Sequence, residues 1–327
     1  IKSFIFPFYR NKDLKFIFTK LQEDIPGDKV AARFVGGCVR KHLTNEKIDD
    51  IDIATILTTD QIKEKFKGTN LKVIDTGIKH GTITIVSENH KVELTTLRKD
   101  IKTDGRHAEV EYTDNWQQDS ERRDFTINAI YMDINGKLYD PQMGTVDLKN
   151  KNIKFIGDPQ KRIEEDYLRV LRYFRFLSRY GKNENDIDQS TFNACSDAVY
   201  GLRRLSGERI WQELQKIMLA NDPYWVLNAM KNSRILDEML PLATLTGYDV
   251  AVAPPAPYLS MVSGLTGVSL CGQTVSGNDM GAHTGEIAAA MLSDVGCQYV
   301  IVGHLERRQH QGETNAIVAQ KAKRAQL

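Results

Sequence analysis

Two aspartates one residue apart, Asp50 and Asp52, are the residues whose types and spacing most directly indicate chemistry. They stand at the start of a predicted strand, where side chains at positions i and i+2 point to the same face. Adjacent carboxylates repel each other unless a cation lies between them, and Mg²⁺ prefers hard oxygen ligands while leaving room for substrate phosphates. We therefore expect both to be catalytic metal ligands for two-metal phosphoryl transfer, with pyrophosphate as the leaving group.

An isolated Asp-x-Asp is more often a solvated turn, so its neighbours decide its meaning. Gly36 and Gly37 end a preceding predicted strand, and a helical turn carrying Arg40 follows them. Glycines at such a bend let backbone N–H groups approach phosphate oxygens without a Cβ in the way. We expect Gly36, Gly37 and Arg40 to bind a nucleotide.

The elements that must position these residues are short strands followed by helices. Apolar and β-branched runs predict strands at 31–35, 52–56, 81–86, 91–97 and 129–133. Asn135-Gly136 is a hairpin signal. After Asp158 the apolar residues follow helical spacing as far as Leu177, and further helices are predicted over 206–220 and 223–239. The predicted architecture is a small mixed sheet followed by a helical neck.

The composition changes near residue 241. Residues 241–327 hold only 6 of the 43 acidic and 5 of the 44 basic residues, but 10 of the 23 glycines. Such a change is typical of two unrelated segments. We expect the join near Pro241, which should end a helix. The predicted domains are a head over 1–150, a neck over 151–240 and a separate segment over 241–327.

Composition also excludes some classes of protein. The net charge of +1 does not indicate a nucleic-acid partner, although a local basic groove is possible. The sequence has no apolar run long enough for a transmembrane helix and no basic leader typical of a signal peptide. The four cysteines form no Cys-x-x-Cys pair, which argues against zinc and a disulfide framework. We expect a cytoplasmic chain that contacts no membrane.

Five motifs occur in a fixed order along the first part of the chain. They are Gly36-Gly37-Cys38-Val39-Arg40 with Asp50-Ile51-Asp52, Arg122-Arg123-Asp124-Phe125-Thr126-Ile127-Asn128-Ala129, Asp140-Pro141 with Gly144 and Asp147, Glu165-Asp166-Tyr167-Leu168-Arg169, and Ser206-Gly207-Glu208-Arg209-Ile210 with Glu213-Leu214. Together they resemble the head and neck of class II tRNA nucleotidyltransferases and bacterial poly(A) polymerases. One departure is Lys41, where that family usually has Asp.

Asp166 and Arg169 are the expected nucleotide-selecting pair, both from the resemblance and from their spacing. At positions i and i+3 of one predicted helix they would share a face. A carboxylate only accepts hydrogen bonds and a guanidinium only donates them. Cytosine and adenine both present an amino donor beside a ring-nitrogen acceptor, whereas uracil and guanine present a carbonyl in place of the amino group. The pair would therefore select C and A; a surface ion pair is the alternative reading.

The resemblance implies further binding residues in the second motif. It makes Arg123, Asp124 and Asn128 contacts to the triphosphate and ribose, although Arg122-Arg123 alone could be a solvated basic patch. Glu93, in a predicted strand, is a weaker candidate to assist the metal ions.

Residues 248–325 resemble triosephosphate isomerase over the second to fourth strand–helix units of its (β/α)8 barrel. The matching stretches are Ala253-Pro254-Pro255, Gly281-Ala282-His283-Thr284-Gly285-Glu286 and Tyr299-Val300-Ile301-Val302-Gly303-His304-Leu305-Glu306-Arg307-Arg308. The resemblance makes His304 the electrophile that polarises the substrate carbonyl, with Glu306 beside it. It also implies a Lys on the first strand and a Glu base after the sixth, and neither region is in the sequence. We expect this segment to be inactive and either poorly ordered or associated through an exposed edge.

The overall expectation is an α+β protein: a nucleotidyltransferase head with a small mixed sheet, a helical neck and an incomplete (β/α)8-barrel fragment. As the resemblance implies, it would add CMP and AMP from CTP and ATP to a tRNA 3′ end, with Mg²⁺ as cofactor. The family's tRNA-gripping body and tail do not follow the neck, so we expect weakened tRNA affinity. The alternatives are A-only addition, as in bacterial poly(A) polymerases, and a non-catalytic nucleotide- or RNA-binding fragment.

Overall fold

The computed structural model describes residues 8–77, 81–87, 90–104, 107–243, 251–263 and 269–326. The chain divides into two compact units, Ile1–Ala198 and Val199–Leu327. The division into head, neck and a third segment stays a prediction.

The first unit is built on a mixed sheet. Its strands are β1 Ala32–Val35, β2 Ile51–Thr55, β3 Lys72–Gly77, β4 Thr82–Val86, β5 Lys91–Thr96, β6 Arg98–Asp104, β7 His107–Tyr112, β8 Tyr131–Met132 and β9 Leu138–Tyr139. Seven of them form one sheet in the order β3-β4-β5-β2-β1-β8-β9, and β6 pairs with β7. Only β2 and β5 are parallel within the large sheet, so the α+β class and the mixed sheet are confirmed.

Eight α-helices surround this sheet. They are α1 Lys12–Gln22, α2 Gly37–Leu43, α3 Thr59–Phe66, α4 Trp116–Glu121, α5 Gly144–Asn150, α6 Pro159–Glu165, α7 Leu168–Tyr180 and α8 Gln189–Asp197. The buried face of α7 carries seven residues of the core, Tyr173 and Phe174 among them. The strand predicted over 129–133 shrinks to β8 because Thr126–Asn128 form a 3-10 turn just before it.

The single helix predicted through residues 163–177 was wrong. The chain breaks between α6 and α7 at Asp166, whose backbone is extended at φ −155°. The Asp166 carboxylate accepts a hydrogen bond from the Leu168 N–H at 3.1 Å, which fixes the turn that leads into α7. Periodicity missed the break because Ile163 and Val170, on either side of it, are both fully buried. Asp166 and Arg169 therefore do not lie on one helical face.

The second unit contains three neck helices and a small parallel sheet. Its elements are α9 Gly207–Met218, α10 Tyr224–Asn232, α11 Ile235–Ala243, β10 Ala251–Val252, α12 Leu259–Val262, β11 Ser269–Gly272, α13 Ala289–Asp294, β12 Cys297–Val300, α14 Leu305–His310 and α15 Asn315–Ala325. The strands pair in parallel in the order β10-β11-β12, as a fragment of a (β/α)8 barrel requires. No helix in the described parts of the chain is long and apolar enough to span a membrane.

Two expectations for the neck were also wrong. The helix predicted over 223–239 is divided into α10 and α11 at Arg234, whose φ of 62° is left-handed. Pro241 does not end a helix, because α11 continues to Ala243. A proline in the last turn removes only its own N–H bond, and few later bonds remain to be disturbed.

Two fully buried tyrosines provide a matched test of the core. The Tyr173 hydroxyl has no hydrogen-bond partner among the described residues, whereas the Tyr131 hydroxyl donates to Asp119 at 2.7 Å. We expect Tyr173→Phe to raise the free energy of unfolding by about 1 kcal/mol, because an unsatisfied buried hydroxyl is removed. Tyr131→Phe should lower it by about 2 kcal/mol, because a bond to a buried charge is lost. Urea unfolding of both variants measures this, and equal effects would contradict it.

Candidate functional site

The glycine bend joins β1 to α2. Gly36 has φ +68° and ψ −121°, a conformation that L side chains rarely adopt. A Cβ on Gly37 would meet no atom within 4 Å, so there is open space in front of Gly37, although Cys38, Val39 and Arg40 after it are buried. The bend is therefore accessible to a ligand at Gly37.

The acidic pair lies on the strand next to this bend. Asp50 is exposed and directly precedes β2, and Asp52 is half-buried within it. The parallel pairing of β2 with β5 brings Glu93 beside Asp52. Burial raises the pKa of the Asp52 carboxyl and the charges of Glu93 and Asp50 raise it further, whereas the positive charges of Arg123 and Arg40 lower it. The net result is a raised pKa, so the ionised form of Asp52 is disfavoured in the free protein.

This electrostatic arrangement fits a divalent cation. A cation between Asp50 and Asp52 would relieve the repulsion that raises the Asp52 pKa. Within the described ranges no group of three or more potential ligands forms. The pair alone is nevertheless sufficient for Mg²⁺, which commonly takes one or two carboxylates and completes its shell with water and substrate phosphates.

Asp119 was missed by the sequence analysis and anchors the second motif. Its fully buried carboxylate accepts hydrogen bonds from Arg122 Nε at 2.9 Å and Arg123 Nη2 at 3.1 Å, besides the Tyr131 hydroxyl. Burial would raise its pKa, but the charges of Arg123 and Arg122 outweigh this and lower the pKa to about 2. The only signal in the sequence was that Asp119 precedes Arg122 by three residues and Arg123 by four.

A second set of bonds connects Arg40 with the same motif. The buried Arg40 guanidinium donates from Nη1 to Asn128 Oδ1, and Asn128 Nδ2 donates to Asp124 Oδ1 at 2.7 Å. The other Asp124 oxygen accepts from Arg172 Nε at 2.8 Å. Burial opposes the charge of Asp124, but Arg172 and Asn128 hold its pKa well below the ordinary value. Arg40, Asn128 and Asp124 are thus brought together, as the sequence predicted for a binding site.

The turn at Asp140-Pro141 requires a glycine at position 144. Asp140 accepts from the N–H groups of Gly144 and Thr145, each at 2.8 Å. A Cβ on Gly144 would lie 2.1 Å from the Thr126 carbonyl oxygen, so only glycine allows α5 to pack against the turn that carries Asn128.

The predicted selecting pair lies at the α6–α7 junction. Arg169 Nη1 donates to the Arg162 carbonyl at 2.6 Å and to the Glu165 carboxylate. Arg162 Nη2 in turn donates to the Arg122 and Arg123 carbonyls, each at 2.6 Å. These bonds tie the junction to the second motif, and neither Arg162 nor Glu165 had been singled out by the sequence analysis.

His304 and Glu306 lie in the second unit, at the start of α14. They line a groove of about 640 Å³ together with Gln273 and Thr274, and no lysine belongs to its described lining. His304 Nδ1 accepts from the Glu306 N–H at 3.4 Å, and both side chains are largely exposed. The histidine therefore caps its helix, and Glu306 Oε2 lies 3.8 Å from its Nδ1.

Comparison with known proteins supports both parts of this description. The poly A polymerase head domain matches residues 32–154, and triosephosphate isomerase matches residues 212–327. The human mitochondrial CCA tRNA nucleotidyltransferase 1 is 49% identical over 190 residues, which are 58% of this chain and 44% of that protein. The CCA-adding enzyme of Staphylococcus epidermidis is 39% identical over 205 residues, 62% of this chain and 50% of that protein.

Solved structures of CCA-adding enzymes are also similar to this chain. The Bacillus stearothermophilus CCA-adding enzyme in complex with CTP matches with a TM-score of 0.61 and 30% identity, over 71% of this chain and 55% of that chain. The Thermotoga maritima CCA-adding enzyme complexed with tRNA matches with a TM-score of 0.56 and 26% identity, over 72% of this chain and 54% of that chain. Both resemblances drawn from the motifs are confirmed. The chain spans about half the length of these relatives.

Asp119 should make the stability of the first unit dependent on pH. Because its folded pKa of about 2 is below the usual value near 4, its ionised form is stabilising above about pH 4. That contribution, about 2 kcal/mol, should be lost as the pH falls from about 4 to about 2. Asp119→Asn should lower the free energy of unfolding by about 3 kcal/mol at neutral pH, because Arg123 is left buried without its carboxylate.

Urea unfolding of the wild type and of Asp119→Asn between pH 7 and pH 3 measures this contribution. The difference between the free energies of unfolding of the two proteins should become smaller toward low pH. A difference that stays constant would show that Asp119 does not carry the effect.

Proposed function

We infer that the N-terminal part of the chain adds CMP and AMP to the 3′ end of a tRNA. This part is similar to the head and neck of class II tRNA nucleotidyltransferases, and the C-terminal part is similar to triosephosphate isomerase. The observation that carries this proposal is the acidic pair beside an open glycine bend. Asp50, Asp52 and Gly36 bring negative charge and a phosphate-accepting turn to neighbouring strand ends.

In the proposed reaction the 3′-hydroxyl of the RNA attacks the α-phosphorus of CTP or ATP. A new P–O bond forms, the bond between the α- and β-phosphates breaks, and pyrophosphate leaves. Mg²⁺ held by Asp50 and Asp52 would supply charge stabilisation and lower the pKa of the attacking hydroxyl. The backbone N–H groups at the start of α2 would receive phosphate oxygens beside Arg40.

The second motif would hold the rest of the nucleotide. Asn128 and Asp124 are fixed by Arg40 and Arg172, so they would present preorganised polar groups to the ribose. Arg123 is neutralised by Asp119, and its Nη1 would lie 3.9 Å from a Cβ built on Gly36. It therefore borders the bend at which we expect the triphosphate.

Base selection would come from Asp166 and Arg169. Although they do not share a helical face, both belong to the junction that Glu165 and Arg162 hold together. Asp166 would accept from the amino group of cytosine or adenine, and Arg169 would donate to the adjacent ring nitrogen. A carbonyl in place of the amino group would cost about 1–3 kcal/mol, because the carboxylate loses its donor.

Two other functions remain as alternatives. A-only addition, as in bacterial poly(A) polymerases, uses the same motifs. A nucleotide- or RNA-binding fragment without turnover is the second, because the chain spans about half of the matched relatives and we expect weakened tRNA affinity. Cytoplasmic localisation remains a prediction. We further propose that the second unit has no isomerase activity, since no lysine belongs to the described lining of the groove that holds His304; turnover of a triose phosphate would contradict this.

The acidic pair is tested with Mg²⁺, labelled CTP or ATP, and tRNA that lacks its CCA end. We expect the wild type to add two C and one A, and Asp50→Asn or Asp52→Asn to lower kcat at least about 10³-fold, because the cation site is lost. Asp75→Asn is the control, since Asp75 forms an exposed ion pair with Lys63.

The products also separate the alternatives. Addition of A alone would favour a poly(A)-type activity, and binding of CTP without incorporation would favour a non-catalytic fragment. Full activity of both acidic-pair variants would overturn the proposal.

Asp166→Asn tests base selection while it keeps a side-chain oxygen that can accept from the Leu168 N–H. The amide can donate to a carbonyl, so we expect UTP incorporation relative to CTP to rise about 10-fold or more. Asp188→Asn, at the N-cap of α8, is the control for an Asp-to-Asn change before a helix and should leave selectivity unchanged. Unaltered selectivity in Asp166→Asn would remove that residue from base recognition.

A further inference from the structure

Position 41 is where this chain departs from the family it resembles. Lys41 replaces the usual aspartate, and its ammonium pairs with Asp49 at 3.1 Å. The residue that follows Arg40 therefore brings a positive charge instead of a carboxylate.

A carboxylate is present nearby, from Glu46. The Glu46 N–H donates to the Lys41 carbonyl at 2.8 Å, so the loop after α2 folds back beside position 41. The Glu46 carboxylate accepts from Arg179 Nε at 2.8 Å and from the Thr44 hydroxyl. Burial alone would raise its pKa, but these hydrogen bonds hold the pKa below its ordinary value, and the group stays charged.

Tyr180 connects this carboxylate to Arg40. Its hydroxyl accepts a hydrogen bond from Arg40 Nε at 2.8 Å, and its ring lies 5.4 Å from the Arg40 guanidinium, with the Phe176 ring at 4.8 Å. A hydroxyl that accepts from Arg40 still has its own proton to donate. The Arg179 guanidinium, which Glu46 accepts from, lies 6.0 Å from the centre of the Tyr180 ring.

We propose that Tyr180 is a positioning residue that holds Arg40 for nucleotide binding, and that Glu46 supports it through Arg179. This inference rests on the proposed function. Arg40 is only 7% exposed, and its side chain also donates to Asn128. Without the Tyr180 hydroxyl, the buried Nε loses its acceptor and the guanidinium is free to turn away from the glycine bend.

Tyr180→Phe is the first variant, because it keeps the ring beside Arg40 and removes only the hydroxyl. We expect the KM for CTP and ATP to rise about 5- to 10-fold and kcat to change less than about 2-fold. The variant loses the charge-assisted hydrogen bond that holds Arg40 in place to bind the nucleotide. Glu46→Gln should also raise KM. The increase in KM of the double variant should be smaller than the product of the increases of the two single variants. Unchanged KM values in both single variants would overturn the proposal.

The second unit offers a matched control. Arg203 Nε donates to Glu238 at 2.8 Å and its guanidinium lies 5.4 Å from the Tyr200 ring, so the same three residue types meet away from the site. Tyr200→Phe and Glu238→Gln should leave both KM values unchanged. An equal rise in these variants would show that the effect is not specific to Arg40.

A measurement independent of turnover separates this inference from the proposed function. The Arg40 Nε–H proton should be protected from solvent exchange in the NMR spectrum of the wild type, and Tyr180→Phe should lose that protection at least about 10-fold. If the wild type transfers no nucleotide but Tyr180→Phe still loses the protection, the proposed function is refuted and the positioning of Arg40 by Tyr180 is supported. If Tyr180→Phe retains the protection, the positioning role is refuted whatever the activity.

Discussion

The first unit depends on pairing partly buried guanidinium groups with carboxylates that are largely removed from solvent. Arg123 and Arg122 meet Asp119, and Arg172 meets Asp124. A carboxylate held away from solvent is costly without a partner, so Asp119 and Asp124 depend on these arginines. The pairs hold the Arg122–Asn128 segment in a fixed position beside the glycine bend.

The acidic pair has the opposite character. Asp52 is half-buried beside Glu93 and Asp50, and burial together with these neighbours disfavours its charged form more than Arg123 and Arg40 favour it. The sheet thus holds like charges together at a point where the two arginines only partly offset them. Such an arrangement is typical of a site whose stabilising partner is a ligand, and it contrasts with the neutralised carboxylates a few residues away.

The two units differ in completeness. In the first, β2 and β5 are central strands of a seven-stranded sheet. In the second, β10 and β12 are the edges of a three-stranded parallel sheet among the described residues, although a parallel sheet is ordinarily covered and closed. Large apolar side chains such as Tyr299 and Leu305 are exposed in this unit. The expectation that this segment is poorly ordered or self-associating stays a prediction.

The sequence by itself determined the type of fold and the chemistry of the candidate site. Alternation predicted the strands around Asp52, and residue types with ordered spacing predicted the residues that now lie near Gly36. Local signals were sufficient because strands, glycine bends and caps are short-range features. Only the tertiary structure decided the rest. The role of Asp119, the break at Asp166 and the approach of Glu46 to Arg179 depend on contacts between residues distant in sequence or on burial, and neither leaves a periodic signal in the chain.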